Sequence, residues 1–454
     1  MMTPAIFQLP APVGEVLARL AAAGFDAWCV GGCVRDTLLG KRPFDWDVAT
    51  SARPEETRAV FAGERLVEVG AAHGTIALVP PEGHPIEITT FRSDGEYTDA
   101  RHPDSVTFSR RLEDDLSRRD FTVNAMAYHP DQGLVDLFRG REDLEQGLLR
   151  CVGDPARRFQ EDALRILRGL RFASQLGFSI EEATGAALWE EKGRLQTLSH
   201  ERVREELTKL LCGENAAPVL REYAGILFTL LPELAPMEGC AQETPYHCFD
   251  VWEHTLHALE HTPADAALRW AALLHDTGKP ARKTFPRMGG PLLRPSPESG
   301  RVARRVLTRL RFSKREAEWI ASLVDHHEDP MPMGEKALKR LLGQHGEAFV
   351  FTLFQLQEAD LSAKAPGIFQ RRLPDLEGSR ARARAILERG DCLTLGDLAL
   401  SGEDLKALGI PPGPEMGSLL RRILDAVQEG GVPNQAAALR NLALRLWRGE
   451  GHKK

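Results

Sequence analysis

The sequence predicts an α+β protein: a small head built on a mixed sheet with helices, followed by an all-α neck, body and tail. Two patterns carry this reading. Short apolar runs at 25–30, 66–69, 75–79, 86–91 and 105–108, bounded by Gly, Pro and His-rich turns, have the form of strands. After Pro155 the apolar period lengthens to that of helices, with Ala163, Leu167, Leu170 and Ser174 on one stripe, and everything beyond reads as helical. The exception is a Pro/Gly-rich loop over 286–300.

Composition bounds the answer. A chain of 454 residues with 43% hydrophobic and 27% charged residues is long enough for two to four domains with sizeable cores. The expected partition is a head over 1–150, an arginine-rich neck over 151–215, a helical body over 216–384 and a helical tail over 385–454. Seven cysteines, an odd number without paired spacing, and a start lacking a basic-apolar-small leader predict a reducing, cytoplasmic setting. No apolar run is long enough to span a bilayer, so a membrane is not expected as a partner.

In the head, Gly31-Gly32-Cys33-Val34-Arg35-Asp36 follows a short apolar strand and opens a helix. A glycine pair lets the backbone approach a triphosphate, and Arg35, one turn on, can neutralise phosphate charge. Nine residues later comes Asp45-Trp46-Asp47. Two carboxylates two apart on a strand share a face and can hold a magnesium-type cation, with sites left for nucleotide phosphates and water. Together these have the layout of a metal-dependent nucleotidyltransferase. Glu87, with apolar neighbours on both sides in a strand expected beside Asp47, either completes a three-carboxylate site or is an ordinary polar-face glutamate.

The chain resembles class II tRNA nucleotidyltransferases, which add or repair the CCA end, and their relatives the bacterial poly(A) polymerases. The resemblance rests on the glycine and Asp-x-Asp motifs, on Arg118-Arg119-Asp120-Phe121-Thr122-Val123-Asn124-Ala125, on 154–165 (Asp154-Pro155-Ala156-Arg157-Arg158-Phe159 through Arg165) and on Ser199-His200-Glu201-Arg202. It implies a polymerase-β-like head, Mg2+ held by Asp45 and Asp47, tRNA, CTP and ATP as partners, and no DNA. It also implies that Gly31, Gly32 and Arg35 contact the triphosphate, and that Arg119, Asn124, Arg168 and Arg171 line the nucleotide or phosphate region, Arg171 alternatively facing RNA. The polar segment 93–108 resembles the flexible element that switches such enzymes from adding C to adding A.

Asp162 and Arg165, expected one helical turn apart, would project together into the nucleotide site. An aspartate only accepts hydrogen bonds and an arginine only donates. Cytosine and adenine each present an amine beside a ring-nitrogen acceptor, whereas uracil and guanine present the reverse, so the pair accepts C and A without a template.

With a net charge of −7, RNA contact must come from local clusters such as Arg150, Arg157, Arg158, Arg165, Arg168 and Arg171, or Arg371, Arg372, Arg380, Arg382 and Arg384, or the basic terminus from Arg440. The turn at 409–417 and the amphipathic helix through Leu419, Leu420, Ile423 and Val427 read either as a helix connector or as an RNA contact.

A second constellation, His254, His275-Asp276 and Asp360, resembles the HD phosphohydrolase superfamily over about 245–362 and suits a divalent transition metal. Ser296 stands where many active relatives carry a histidine, with His326 and His327 as possible substitutes. The expected activity is therefore CCA addition, with poly(A) synthesis, partial (CC- or A-) addition, or HD-type hydrolysis at RNA ends as alternatives.

Overall fold

The computed structural model describes residues 7–70, 74–94, 106–242, 244–284 and 296–449. It has the mixed α+β architecture that the sequence predicts, a sheet-bearing head and then helices. The chain divides into two compact units, Met1–Ala235 and Pro236–Lys454.

Among its described residues the first unit holds β1 (Ala27–Val30), β2 (Asp47–Thr50), β3 (Leu66–Gly70), β4 (Thr75–Leu78), β5 (Ile86–Thr90), β6 (Arg92–Asp94), β7 (Val106–Phe108), β8 (Met126–His129) and β9 (Gly133–Asp136), together with a two-residue parallel pair, Leu148–Leu149 and Ser179–Ile180. Seven form one sheet in the order β3-β4-β5-β2-β1-β8-β9. Its neighbours are antiparallel except β2 and β5, which run parallel with Asp47 opposite Glu87. The β8–β9 hairpin is missing from the strand runs read in the sequence. β6 and β7 make a separate hairpin; most of the 93–108 segment, residues 95–105, lies outside the described residues.

Helices α1 (Ala11–Ala22), α2 (Gly32–Leu38), α3 (Pro54–Val60), α4 (Leu112–Ser117) and α5 (Gly140–Gln146) flank the sheet, and α6 (Pro155–Glu161), α7 (Leu164–Leu176), α8 (Glu182–Glu191) and α9 (His200–Leu211) follow. α6 opens on Asp154, whose side chain accepts from the Ala156 amide, with Pro155 where a missing N–H costs nothing. On α7 the sequence suggests a single apolar stripe. Instead residues 164–167 and 169–174 are all buried, Arg165 and Arg171 included, because α7 packs on several elements at once. Gly169 is one reason: a β-carbon there would stand 3.2 Å from the Phe121 ring.

The second unit is helical. Val251–Glu260, Ala266–Leu274, Lys314–His326 and Glu347–Ser362 surround buried side chains including Trp270, Phe349 and Phe354. Leu405, Ile410, Leu419, Ile423 and Leu439 form a separate core for the C-terminal helices. The expected loop over 286–300 is shorter than the sequence suggests, because a helix runs Ser296–Arg309. Pro297 and Glu298 occupy its first turn, where proline is tolerated and an acid complements the helix dipole. Residues 286–295 lie outside the described residues.

Candidate active site

The acids gather at one end of the central strands β2 and β5. Asp47 begins β2, Glu87 is its registered partner on β5, and Val30 at the end of β1 faces Asp47 from the other side. Asp45 does not lie on the strand as expected: Pro43 supplies no amide donor, and Phe44 and Asp45 form a bend ahead of β2. Asp45 and Glu87 are exposed, while Asp47 is half-buried. Burial, then the negative charges of Asp45 and Glu87, push the Asp47 carboxyl up to about 6 against the opposing pull of Arg119. A divalent cation beside Asp47 would relieve that mutual repulsion.

The glycine turn lies beside them. Gly31 has φ 77° and ψ −130°, open to glycine but not to a side chain, and a β-carbon there would come 2.9 Å from Arg119 Nη1 and 4.0 Å from Asp47 Oδ2. Gly32 begins α2. Arg119 reaches this point because Asp115, wholly buried on α4, accepts from its Nε and Nη2 and from Arg118. Burial favours a neutral Asp115, but the two guanidiniums outweigh it and hold the carboxyl low. Asn124 joins the network: its Oδ1 accepts from Arg35 Nη1 at 2.6 Å and its Nδ2 donates to Asp120 Oδ1 at 3.3 Å.

Around Phe172 three cations converge, with the guanidinium carbons of Arg35, Arg168 and Arg171 at 5.2, 5.3 and 4.2 Å from the ring centre. Asp120 accepts from Arg168 Nε at 2.7 Å, and although burial opposes it, Arg168 and Arg165 keep Asp120 ionised down to about 2. Arg171 pairs with Glu206 at 3.2 Å; burial and Arg168 push this guanidinium down to about 10. Two cations crowded in a buried place suit an anionic ligand.

Asp162 and Arg165 are not one turn apart on a single helix. α6 ends at Glu161, and Asp162 is extended (φ −142°, ψ 106°) with Oδ1 accepting from the Leu164 amide at the start of α7. Its Oδ2 binds Arg202 Nη2 at 2.8 Å, whereas Arg165 binds Glu161 at 2.6 Å and the Arg118 carbonyl at 2.9 Å. The two therefore make neither the expected joint projection from one helix face nor a surface ion pair. Both keep unused capacity: two carboxylate oxygens with further lone pairs, and a guanidinium with free N–H groups.

Asp115, Glu206 and Phe172 were missed as site residues. Asp115 was legible as an acid three and four positions before Arg118 and Arg119; the other two depend on helix packing. The basic clusters are also largely neutralised, with Arg157 and Arg158 on Glu161, Arg150 on Asp143 and Glu181, and Arg380 on Glu358 and Glu377.

In the second unit His254, His275 and Asp276 are wholly buried, with ligand atoms within 4.8 Å of one another. Asp360 joins them at 3.0 Å from His254 Nε2. His327 Nε2 lies 3.7 Å from Asp276, while His326 pairs with Asp329 instead. His275 Nε2 and both Asp276 oxygens lack an aligned hydrogen-bond partner, although Lys279 Nζ pairs with Asp276 at 2.6 Å. Two imidazoles and a carboxylate converging in a buried place are a donor set that fits a divalent metal. The cluster borders a cavity of about 630 Å³ lined in part by His247, Lys279, Lys364, Arg371 and Arg372.

A mixed sheet that sets a glycine turn and three acids at one end of its central strands, with buried arginines behind, places the chain among nucleotidyltransferases. Residues 27–150 match the family described as poly A polymerase head domain, 177–238 a probable RNA- and SrmB-binding site of polymerase A, and 298–443 tRNA nucleotidyltransferase domain 2. The CCA-adding enzyme of Lactobacillus delbrueckii subsp. bulgaricus is 35% identical over 93% of this chain and 95% of its own, and that of Lacticaseibacillus paracasei 36% over 95% of each. The crystal structure of the Bacillus stearothermophilus CCA-adding enzyme in complex with CTP is 30% identical, with a TM-score of 0.75 over 97% of this chain and 99% of that one. The chain belongs to the family of CCA-adding enzymes. None of its described helices is long and apolar enough to cross a membrane.

Proposed function

We propose that Asp45, Asp47 and Glu87 form the catalytic centre of this enzyme, with the observation that carries it being the parallel register that sets Glu87 opposite Asp47, whose carboxyl is raised by burial and then by the charges of Asp45 and Glu87. The enzyme is a nucleotidyltransferase that adds or repairs the 3′-terminal CCA of tRNA from CTP and ATP, releasing pyrophosphate, with no nucleic-acid template. Asp45 and Asp47 would hold Mg2+, with Glu87 beside them. When bound, Mg2+ lowers the pKa of the RNA 3′-hydroxyl and neutralises charge on the attacking and leaving oxygens. The hydroxyl oxygen bonds to the α-phosphorus, the bond to the pyrophosphate oxygen breaks, and the hydroxyl proton passes to solvent.

The remaining residues position the substrates. Gly31 and Gly32 admit the triphosphate against the backbone, with Arg35, Arg119, Arg168, Arg171 and Asn124 supplying donors around it. Asp162 accepts the exocyclic amine of C or A and Arg165 donates to the ring nitrogen. The head over 1–150, neck over 151–215, body over 216–384 and tail over 385–454 divide this work, the last holding tRNA. The test supplies Mg2+ and a tRNA lacking its last three nucleotides with CTP and ATP, separately and together, and sequences the 3′ ends. Products ending at CCA are expected; a poly(A) ladder, a CC stop or a lone added A would overturn full CCA addition.

The buried His254-His275-Asp276 set, its ligand atoms within 4.8 Å of one another, favours a second reading, an HD-type site over about 245–362 holding a divalent transition metal and hydrolysing phosphoesters at RNA ends. Hydrolysis of a 2′,3′-cyclic phosphate that survives Asp45→Ala and disappears in Asp276→Ala would establish it.

A further inference from the structure

Phe44 is 76% exposed, more than the other exposed large hydrophobic side chains of the described residues, and it directly precedes Asp45. Its ring meets that of His84 with centroids 4.6 Å apart and planes inclined 41°. The two come from separate segments, the bend ahead of β2 and the β4–β5 connection. Their meeting follows from register. Asp47 and Glu87 are parallel partners, and Phe44 and His84 each stand three residues upstream of one of them. Three residues of chain span at most about 10 Å, so the Phe44 α-carbon lies within about that distance of the Asp47 α-carbon, and that of His84 within the same distance of Glu87.

The sheet order decides which substrate this side serves. β2 lies between β1 and β5. The glycine turn, where the triphosphate approaches, leaves β1, while the aromatic pair sits ahead of β2 and β5. The second reactant of a nucleotidyl transfer, the RNA 3′ end, must reach the acids from a side that the triphosphate leaves free. Lys41 and Arg42, just before Pro43-Phe44, are exposed, and neither is tied by an ion pair to a described residue. Exposed cations beside an open aromatic face are the two components of a single-strand nucleic-acid platform, in which cations follow the backbone and a ring stacks on a base.

We propose that Phe44, backed by His84, is the stacking platform for the 3′-terminal base of the RNA being extended, with Lys41 and Arg42 on its backbone phosphates. The proposal rests on the nucleotidyltransferase reading of the acids, and it adds the residues that bring the primer end to them.

The test uses the full chain and a tRNA-like stem ending in 2-aminopurine, bound without CTP or ATP. Stacking on Phe44 changes the probe's fluorescence in the wild type; Phe44→Ala abolishes the change and Phe44→Tyr retains it. In extension assays Phe44→Ala raises KM for RNA by about 5- to 150-fold and leaves KM for CTP and ATP unchanged. An unaltered fluorescence response in Phe44→Ala, or an equal rise in nucleotide KM, would overturn the platform. A wild type that shows the Phe44-dependent response yet extends no RNA would sink the transferase reading while the platform stands.

Discussion

Arg202 Nη2 lies 2.8 Å from Asp162 Oδ2, so the aspartate proposed to read the incoming base is held by a residue on α9 rather than by Arg165. The helix break at Asp162 turns its carboxylate away from the α7 side chains and toward α9.

Removing this support frees the carboxylate without deleting it. Arg202→Ala is expected to lower kcat/KM for both CTP and ATP by about 10- to 150-fold, the worth of a charge-assisted hydrogen bond. Incorporation of UTP and GTP should rise relative to CTP and ATP. Single-turnover extension with each nucleotide measures both, and unchanged discrimination would show that Arg202 does not position Asp162.

Asp47 gives a pH prediction. Burial and the neighbouring Asp45 and Glu87 charges raise its folded pKa to about 6, above the ordinary aspartate value of 3.8. The folded state therefore binds the proton more tightly, and the metal-free protein loses stability as pH rises from about 4 through 6. Asp47→Asn removes this penalty and should stabilise the Mg2+-free protein at pH 7 by up to about 3 kcal/mol, a gain that vanishes toward pH 4. Adding Mg2+ should stabilise wild type and not the variant. Thermal unfolding across pH, with and without Mg2+, reads both.

Asp115→Asn leaves Arg118 and Arg119 without their buried countercharge. Breaking such a pair is expected to cost about 3–5 kcal/mol in urea unfolding. Because Arg119 also stands against Gly31 and Asp47, the variant that remains folded should show a raised KM for CTP. Loss of stability with nucleotide kinetics intact would limit Asp115 to a structural role.

The second unit predicts a metal response independent of the head. Titration with Mn2+ should raise the melting temperature of wild type, and His275→Ala or Asp276→Asn should remove that rise while CCA addition is retained. A melting temperature unmoved by Mn2+ or other divalent transition metals in wild type would leave the cluster a structural one.

The sequence by itself determined the chemistry at short range. The Gly31-Gly32 turn, Arg35, Asp45 and Asp47 fall within seventeen residues, and local spacing constrains what such groups can do. Alternation around Glu87, with Ile86 and Ile88 buried, marked a strand whose acid faces solvent. The change from short apolar runs to helical periods set the fold class, and the family motifs set the reaction.

Tertiary structure decided the partners. Strand register across 40 residues placed Glu87 opposite Asp47 and brought Phe44 to His84, and helix packing delivered Glu206 to Arg171 and Arg202 to Asp162. A charged side chain read in isolation has many possible counterparts. Burial selects among them, because an ion taken out of water must be paired with whatever the fold brings within reach.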